Sequence, residues 1–293
     1  MTIFRSLSPG LFSLAGLLPV LATSLQAAII APTINWEADL DDPGDNLWES
    51  SVNSASAAPW IFAGPTSPID VSAATAGTDF LSIQSAYAFP AAAATRSDWG
   101  TPADIPGGGG ASGIDATFEM VFRLGDGAGD HLLFETGGGN MGTSISVSGT
   151  TLTYRSQQGT GAGQFAAVSL SNLAVGAFHQ IVATIDMNAD VIQEIQLFHN
   201  GALVGTDGPA DDGSDSLWDG SDDAGLGRLN GSVTTGTYSN FDGDIAILRY
   251  YRDDVFDAAS AQQNFEALAI PEPSASLLAA LGLLALTGRR RRA

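Results

Sequence analysis

Residues 114–124 read IDATFEMVFRL. Ile114, Ala116, Phe118, Met120, Phe122 and Leu124 alternate with Asp115, Thr117, Glu119 and Arg123. Successive side chains of a strand point to opposite faces, so period-two alternation predicts a β-strand with one face against a core. A half-buried strand of this kind is one layer of an antiparallel sandwich. Working outward, the same reasoning predicts strands at 131–135, 143–147, 151–155, 165–170, 180–186, 192–198 and 242–251. Earlier strands are expected in INWEADL (34–40) and FLSIQ (80–84). Asn200-Gly201, set between EIQLFH and ALVG, is a strong hairpin signal. A single segment reads as helical: Asp257 can cap it, and Ala261, Phe265 and Leu268 share a face. The glycine stretch at 106–110 reads as a surface loop, because the residues before it hold too few apolar strands for a separate core. The fold class expected is all-β, an antiparallel β-sandwich of jelly-roll type, over residues 29–269.

The two ends of the chain have a different composition. Residues 1–28 hold one basic residue, Arg5, then an apolar stretch and small residues at Ala27 and Ala28, the layout of a secretory signal peptide. Residues 270–293 contain Pro271, Glu272 and Pro273, then an uncharged apolar run, then Arg289, Arg290, Arg291 and Arg292. The run from 273 to 288 makes a helix of about 24 Å against about 30 Å of bilayer hydrocarbon, a marginal single transmembrane span. Four adjacent arginines would keep that end in the cytoplasm and the body outside.

Without these ends, six basic residues face 31 acidic ones, a net charge near −25, with no lysine. Such a surface repels nucleic acid and anionic lipid, and it suits divalent cations. The chain has no cysteine, which excludes thiol catalysis, a lipoprotein anchor and a cysteine zinc site. Glycine (35) and proline (13) are abundant in a chain that is 44% hydrophobic, as short strands joined by tight turns require.

Two resemblances follow. The tail, with its Pro271-Glu272-Pro273, short apolar helix and terminal arginine cluster, resembles the PEP-CTERM sorting signal. That resemblance implies export, transient membrane insertion and removal of the tail by an exosortase-type sorting peptidase, with the cell surface or extracellular matrix as destination. The stretches beginning Phe178-His179, Ile195-Gln196, Phe241-Asp242-Gly243 and Asp257-Ala258 resemble the core of LamG domains, members of the concanavalin A-like lectin/glucanase fold. This implies a carbohydrate-binding or adhesion role with a polysaccharide or surface glycan as partner. A carbohydrate-active hydrolase or lyase, or a purely structural matrix protein, stands as the alternative.

Catalytic residues are not evident. Glycosidases of this fold commonly carry E-x-D-x-x-E on a strand, and the nearest stretch here has Glu194 followed by Gln196 and His199. Asp115 and Glu119 lie about 13 Å apart by strand rise, too far for a retaining pair. His131, His179 and His199 form no HExxH motif; His179 reads as a structural residue opening a strand, His131 and His199 as solvent-facing or held by turns. Residues 211–223, DDGSDSLWDGSDD, supply carboxylates suited to Ca²⁺, with Asp211, Asp212, Asp215 and Asp219 as expected ligands. Asp242 with Asp244, on one face of the last strand, form a second candidate pair, and Asp126 with Asp130 a third. Of the tryptophans at 36, 48, 60, 99 and 218, most are expected in the core, and Trp218, inside the acidic loop, is the candidate for stacking on a sugar.

Overall fold

The computed structural model describes residues 29–41, 44–52, 58–89, 93–96, 115–138, 141–157, 165–187, 194–208, 224–230 and 236–269. In chain order the strands are β1 (Ile34–Glu37), β2 (Leu47–Trp48), β3 (Trp60–Phe62), β4 (Ile69–Asp70), β5 (Ser85–Phe89), β6 (Ala94–Arg96), β7 (Ala116–Leu124) and β8 (Asp130–Gly138). They continue with β9 (Met141–Ser148), β10 (Thr151–Gln157), β11 (Phe165–Leu170), β12 (Phe178–Asp186), β13 (Glu194–His199), β14 (Ala202–Asp207), β15 (Ala224–Leu226), β16 (Ser239–Asn240) and β17 (Gly243–Arg252). Two helices, α1 (Ser72–Thr75) and α2 (Ala258–Leu268), complete the elements.

The strands form an antiparallel β-sandwich. An eight-stranded sheet runs β14-β13-β12-β7-β17-β5-β4, with β1 also paired to β17. A nine-stranded sheet runs β11-β10-β9-β8-β15-β6-β3-β2, with β16 added to β8. Strands from residues 34–96 enter both sheets, so the early segment completes the sandwich. Between the sheets lie Phe118, Met120 and Phe122 from β7, Ile145 and Val147 from β9, Leu152 and Tyr154 from β10, and Trp36, Trp48 and Trp60. Those three tryptophans are fully buried, so none of them is available to a sugar.

Most expected strands appear within a few residues of their anticipated ends. Asn200 and Gly201 both have positive φ (48° and 75°), the backbone of a type I′ turn, and join β13 to β14. Two expectations are corrected. FLSIQ forms turns, and the strand begins just after it at Ser85. Residues 116–124 are buried on both faces: in β7 every residue except Arg123 is buried, Glu119 included.

The second face of β7 is covered by α2 and the chain near residue 30. α2 starts at Asp257, whose Oδ1 accepts from Ser260 N at 2.8 Å, a cap typically worth about 1 kcal/mol. Val121, Phe178, Ile247 and Leu268 form one small apolar cluster beneath it; Val182, Phe198, Tyr251, Phe256 and Ala261 form another. Between the two sits a buried polar network. Glu119 accepts from Gln180 Nε2 at 2.6 Å, Tyr251 OH at 2.7 Å, Asn264 Nδ2 at 2.9 Å and Arg249 Nη1 at 3.2 Å. Arg249 also pairs with Glu37 of β1, its Nε lying 3.1 Å from Oε1. Burial works against the charged guanidinium, but the carboxylates of Glu119 and Glu37 hold its pKa above the ordinary arginine value. Burial, then the neighbouring Glu119, pushes the Tyr251 phenol up, so it donates as a neutral hydroxyl.

Candidate functional site

The outer face of the nine-stranded sheet is built differently. In the β9–β10 hairpin, Ser148 pairs with Thr151, Ser146 with Thr153, and Ser144 with Arg155. The intervening Ile145, Val147, Leu152 and Tyr154 fill the core, and Tyr154 OH reaches the carbonyl of Thr184 in the facing sheet at 3.2 Å. Period two therefore sends Ser144, Ser146, Ser148, Thr153 and Arg155 outward. With Asp130 of β8, which pairs with Ser148, and with Gly236, Thr237 and Tyr238, they line an open cleft of 270 Å³.

Each wall of the cleft has a structural cause. β16 runs parallel to β8, Ser239 opposite His131. The His131 ring is buried and meets Asn240 O through Nδ1 at 2.8 Å and Ala128 O through Nε2. That clamp fixes Asn240, two residues after Tyr238, and so the side wall of the cleft. A Cβ at Gly236 would lie 2.5 Å from the Tyr238 ring, so glycine is what lets the ring lie against the backbone there. On the opposite side, Arg155 lies over the Phe165 ring, 3.9 Å from its centroid, a cation–π contact. Burial pulls the Arg155 pKa below its ordinary value, with the Tyr238 phenol acting the other way. Its Nε has no hydrogen-bond partner among the described residues. Hydroxyl rows with a guanidinium at one end and a carboxylate at the other suit a polyhydroxylated, uncoiled ligand lying across the strands.

A second cleft of 320 Å³ lies at the end of β7 and β17, lined by Phe89, Arg123, Leu124, Gly125, Gly176, Asp242, Gly243 and Asp244. Here Asp242 precedes β17 and uses its carbonyl to accept from Gly125 N at 3.0 Å. Asp244 is buried and bound by Arg123, with Nε and Nη2 each 2.6 Å from Oδ2. The structure thus brings Asp242 and Asp244 close, with the carboxylate of Asp244 held by arginine. Asp126 accepts from Ala128 N at 2.8 Å in its own turn, while Asp130 belongs to the first cleft. Among the described residues, no group of three or more acids and histidines is placed to hold a metal. Asp211, Asp212, Asp215, Asp219 and Trp218 lie outside the described residues, as do Trp99, Pro271, Glu272, Pro273 and Arg289, Arg290, Arg291 and Arg292. No helix among the described residues is long and apolar enough to cross a membrane.

His179 is the structural residue at the start of β12 that the sequence suggests, whereas His199 differs from expectation. His179 Nε2 donates to Ala174 O at 3.0 Å, which leaves Nδ1 to accept from His199 Nε2 at 3.0 Å. His199 is therefore held by another histidine, across β12 and β13, instead of by solvent or a turn. Burial, then His179, lowers its pKa to about 4; burial lowers that of His179 as well. Glu194, the remnant of the glycosidase pattern, accepts from Gln196 Nε2 at 3.0 Å.

Comparison with known proteins decides the family. Residues 97–259, more than half of the chain, match the family described as the concanavalin A-like lectin/glucanases superfamily. The chain belongs to this superfamily. Residues 269–292 match the PEP-CTERM protein-sorting motif. No curated protein matches. Among solved structures, the chain is similar to the Ruminococcus gnavus IT-sialidase CBM40 bound to α2,3-sialyllactose, at 16% identity and TM-score 0.42, covering 52% of this chain and 83% of that one. It is also similar to botulinum neurotoxin type C, described as dependent on two ganglioside molecules for cell entry, at 13% identity and TM-score 0.41, covering 53% of this chain. The chain spans about a third of that neurotoxin chain, 36%. For this concanavalin A-like domain the outward serines of TSISVS and the TLTYRS strand were the available sequence signal. Their period is the ordinary period of any sandwich strand, which is why the cleft did not stand out.

Proposed function

We propose that this is an exported surface or matrix protein that binds carbohydrate in the β9–β10 cleft without cleaving it. The observation that carries the reading is the row of outward hydroxyls ending in Arg155, on a domain of the lectin/glucanase superfamily. Among the described residues the cleft lining holds one carboxylate, Asp130, whereas glycoside hydrolysis ordinarily uses two flanking the bond. Glu119 and Glu194 are engaged in internal hydrogen bonds, which supports the same conclusion. The PEP-CTERM match supports delivery to the surface through an exosortase-type peptidase that recognises Pro271-Glu272-Pro273, after transient insertion of the tail in the membrane. Calcium held by residues 211–223 would stiffen that loop, and Trp218 within it would stack on a sugar ring.

A glycan array run in calcium and in EDTA tests this, with Ser146→Phe as the variant that fills the cleft. Discrete binding that Ser146→Phe abolishes supports the proposal. Release of reducing sugar or unsaturated uronate supports the enzyme alternative, and silence on both favours a structural matrix role. Binding unaltered in Trp218→Ala removes that residue from the site, and binding unaltered by EDTA removes calcium.

A further inference from the structure

We propose that the cleft selects sugars carrying a carboxylate, and that Arg155 is the residue that reads it. This rests on the carbohydrate-binding reading above. Three other strand arginines are matched: Arg123 with Asp244, Arg249 with Glu37 and Glu119, and Arg252 with Asp253 at 3.4 Å. Arg155 has no carboxylate partner among the described residues, although the chain has 32 acidic residues to 11 basic ones. Its guanidinium is partly withdrawn from water, fixed by the Phe165 ring on one face and open to the cleft on the other. A partly desolvated cation without a counter-charge is unfavourable until an anion arrives. The planar fork of arginine matches a carboxylate through two parallel N–H···O bonds.

The rest of the cleft restricts where that carboxylate can sit. Ser144 lies beside Arg155, with Ser146 and Thr153 in the next row, offering both donors and acceptors to sugar hydroxyls. Asp130 lies at the far end, in the row of Ser148 and Thr151. Thr151 is four residues from Arg155 on one strand, about 13 Å by strand rise. The carboxylate therefore goes to the Arg155 end, and Asp130 faces the hydroxyls of a neutral unit. A net charge of −21 for the chain repels anions generally, so any acid preference must come from a local contact.

The test uses matched methyl glycosides that differ only at C6: glucuronate against glucose, galacturonate against galactose, mannuronate against mannose, and the 6-sulfate of each neutral sugar. Affinities are read by calorimetry or ligand-observed NMR for the full chain, Arg155→Gln and Arg155→Lys. Wild type should bind one uronate at least about tenfold more tightly than its neutral partner, as a charge-assisted bidentate pair implies. Arg155→Gln should reduce that ratio to within about twofold, and Arg155→Lys should fall between. Binding of neutral and acidic sugars alike, abolished by Ser146→Phe, overturns the carboxylate proposal and leaves the carbohydrate-binding reading intact. A preference for the 6-sulfate over the uronate overturns the carboxylate in favour of a sulfate ester. Acid preference that survives Arg155→Gln overturns the role of Arg155, and absence of binding to every sugar overturns both readings.

Discussion

Truncating Glu119 to alanine should be among the most damaging single changes in this protein. The carboxylate is fully buried and accepts from Gln180, Tyr251, Asn264 and Arg249. Its loss leaves Arg249 buried with Glu37 and the Asn35 amide oxygen, and takes one acceptor from each of three other donors. Removing one partner of a buried ion pair costs about 3–5 kcal/mol. For a body of this size, 1 kcal/mol corresponds to about 2–4 °C, so the melting temperature of Glu119→Ala should fall by roughly 6–20 °C. Glu119→Gln should lose about half as much. Its amide keeps one acceptor, and the Gln180 carbonyl, which has no hydrogen-bond partner among the described residues, can turn to receive the new N–H₂. The double variant Glu119→Leu/Arg249→Met removes both charges together and should lie about 1–3 kcal/mol below the sum of the single costs. Urea unfolding followed by the buried tryptophans Trp36, Trp48 and Trp60 measures these variants and the two single changes, Glu119→Leu and Arg249→Met, that the double variant combines. A cost under about 1 kcal/mol for Glu119→Ala, or strict additivity in the double variant, would refute the claim that the network is one cooperative unit.

Gly227→Ala should destabilise the sandwich by at least about 2 kcal/mol in the same assay, since φ there is +64° and a Cβ would lie 2.1 Å from the Phe89 ring. Gly236→Ala should leave the melting temperature within about 1 °C, a surface-sized effect, yet shift sugar affinity, because the new methyl meets only the outer edge of the Tyr238 ring. The His179–His199 pair predicts an acid-sensitive stability. Free histidine has a pKa of 6.5 and His199 about 4 when folded, so between these values the unfolded chain takes up a proton that the folded one refuses. Stability from this pair is complete above pH 6.5, falls as the pH drops towards 4 and levels off below; one proton is worth about 1.4 kcal/mol per pH unit at the steepest. Urea midpoints at pH 7, 5.5 and 4 should decline less in His199→Gln than in wild type, and parallel declines would argue against the pair.

The strands and the hairpin at Asn200-Gly201 were legible in the sequence because they depend on local periodicity and on turn backbones only a few residues adopt. FLSIQ misled because three apolar residues in five look like a strand, whereas Phe80 and Ile83 here pack under α2 from a turn. Glu119 and Arg123 read as a solvent face, since period two shows that two faces differ but not what covers the second. Arg249, 130 residues away from Glu119 in sequence, supplies the answer, and no local pattern could have joined them. Arg155 was hidden for the converse reason. Its significance is that no carboxylate among the described residues pairs with it, which only the three-dimensional arrangement reveals.

The seating of α2 has a mechanical consequence. Leu268 O accepts from Ser82 N at 3.0 Å, and Asn264 Oδ1 accepts from Ile30 N at 2.8 Å, so the chain both enters and leaves on the outer side of the eight-stranded sheet. The β9–β10 cleft opens from the opposite side of the sandwich. A molecule tethered beyond residue 269 and gripped at that cleft would be pulled through its thickness, across the two sheets instead of along a strand. Tension would reach α2 first, and the joint resisting it would be the seam where Asn264 meets Glu119 and Tyr251. Under force, the helix should peel before either sheet unzips, leaving the grip on the ligand intact while the tether lengthens.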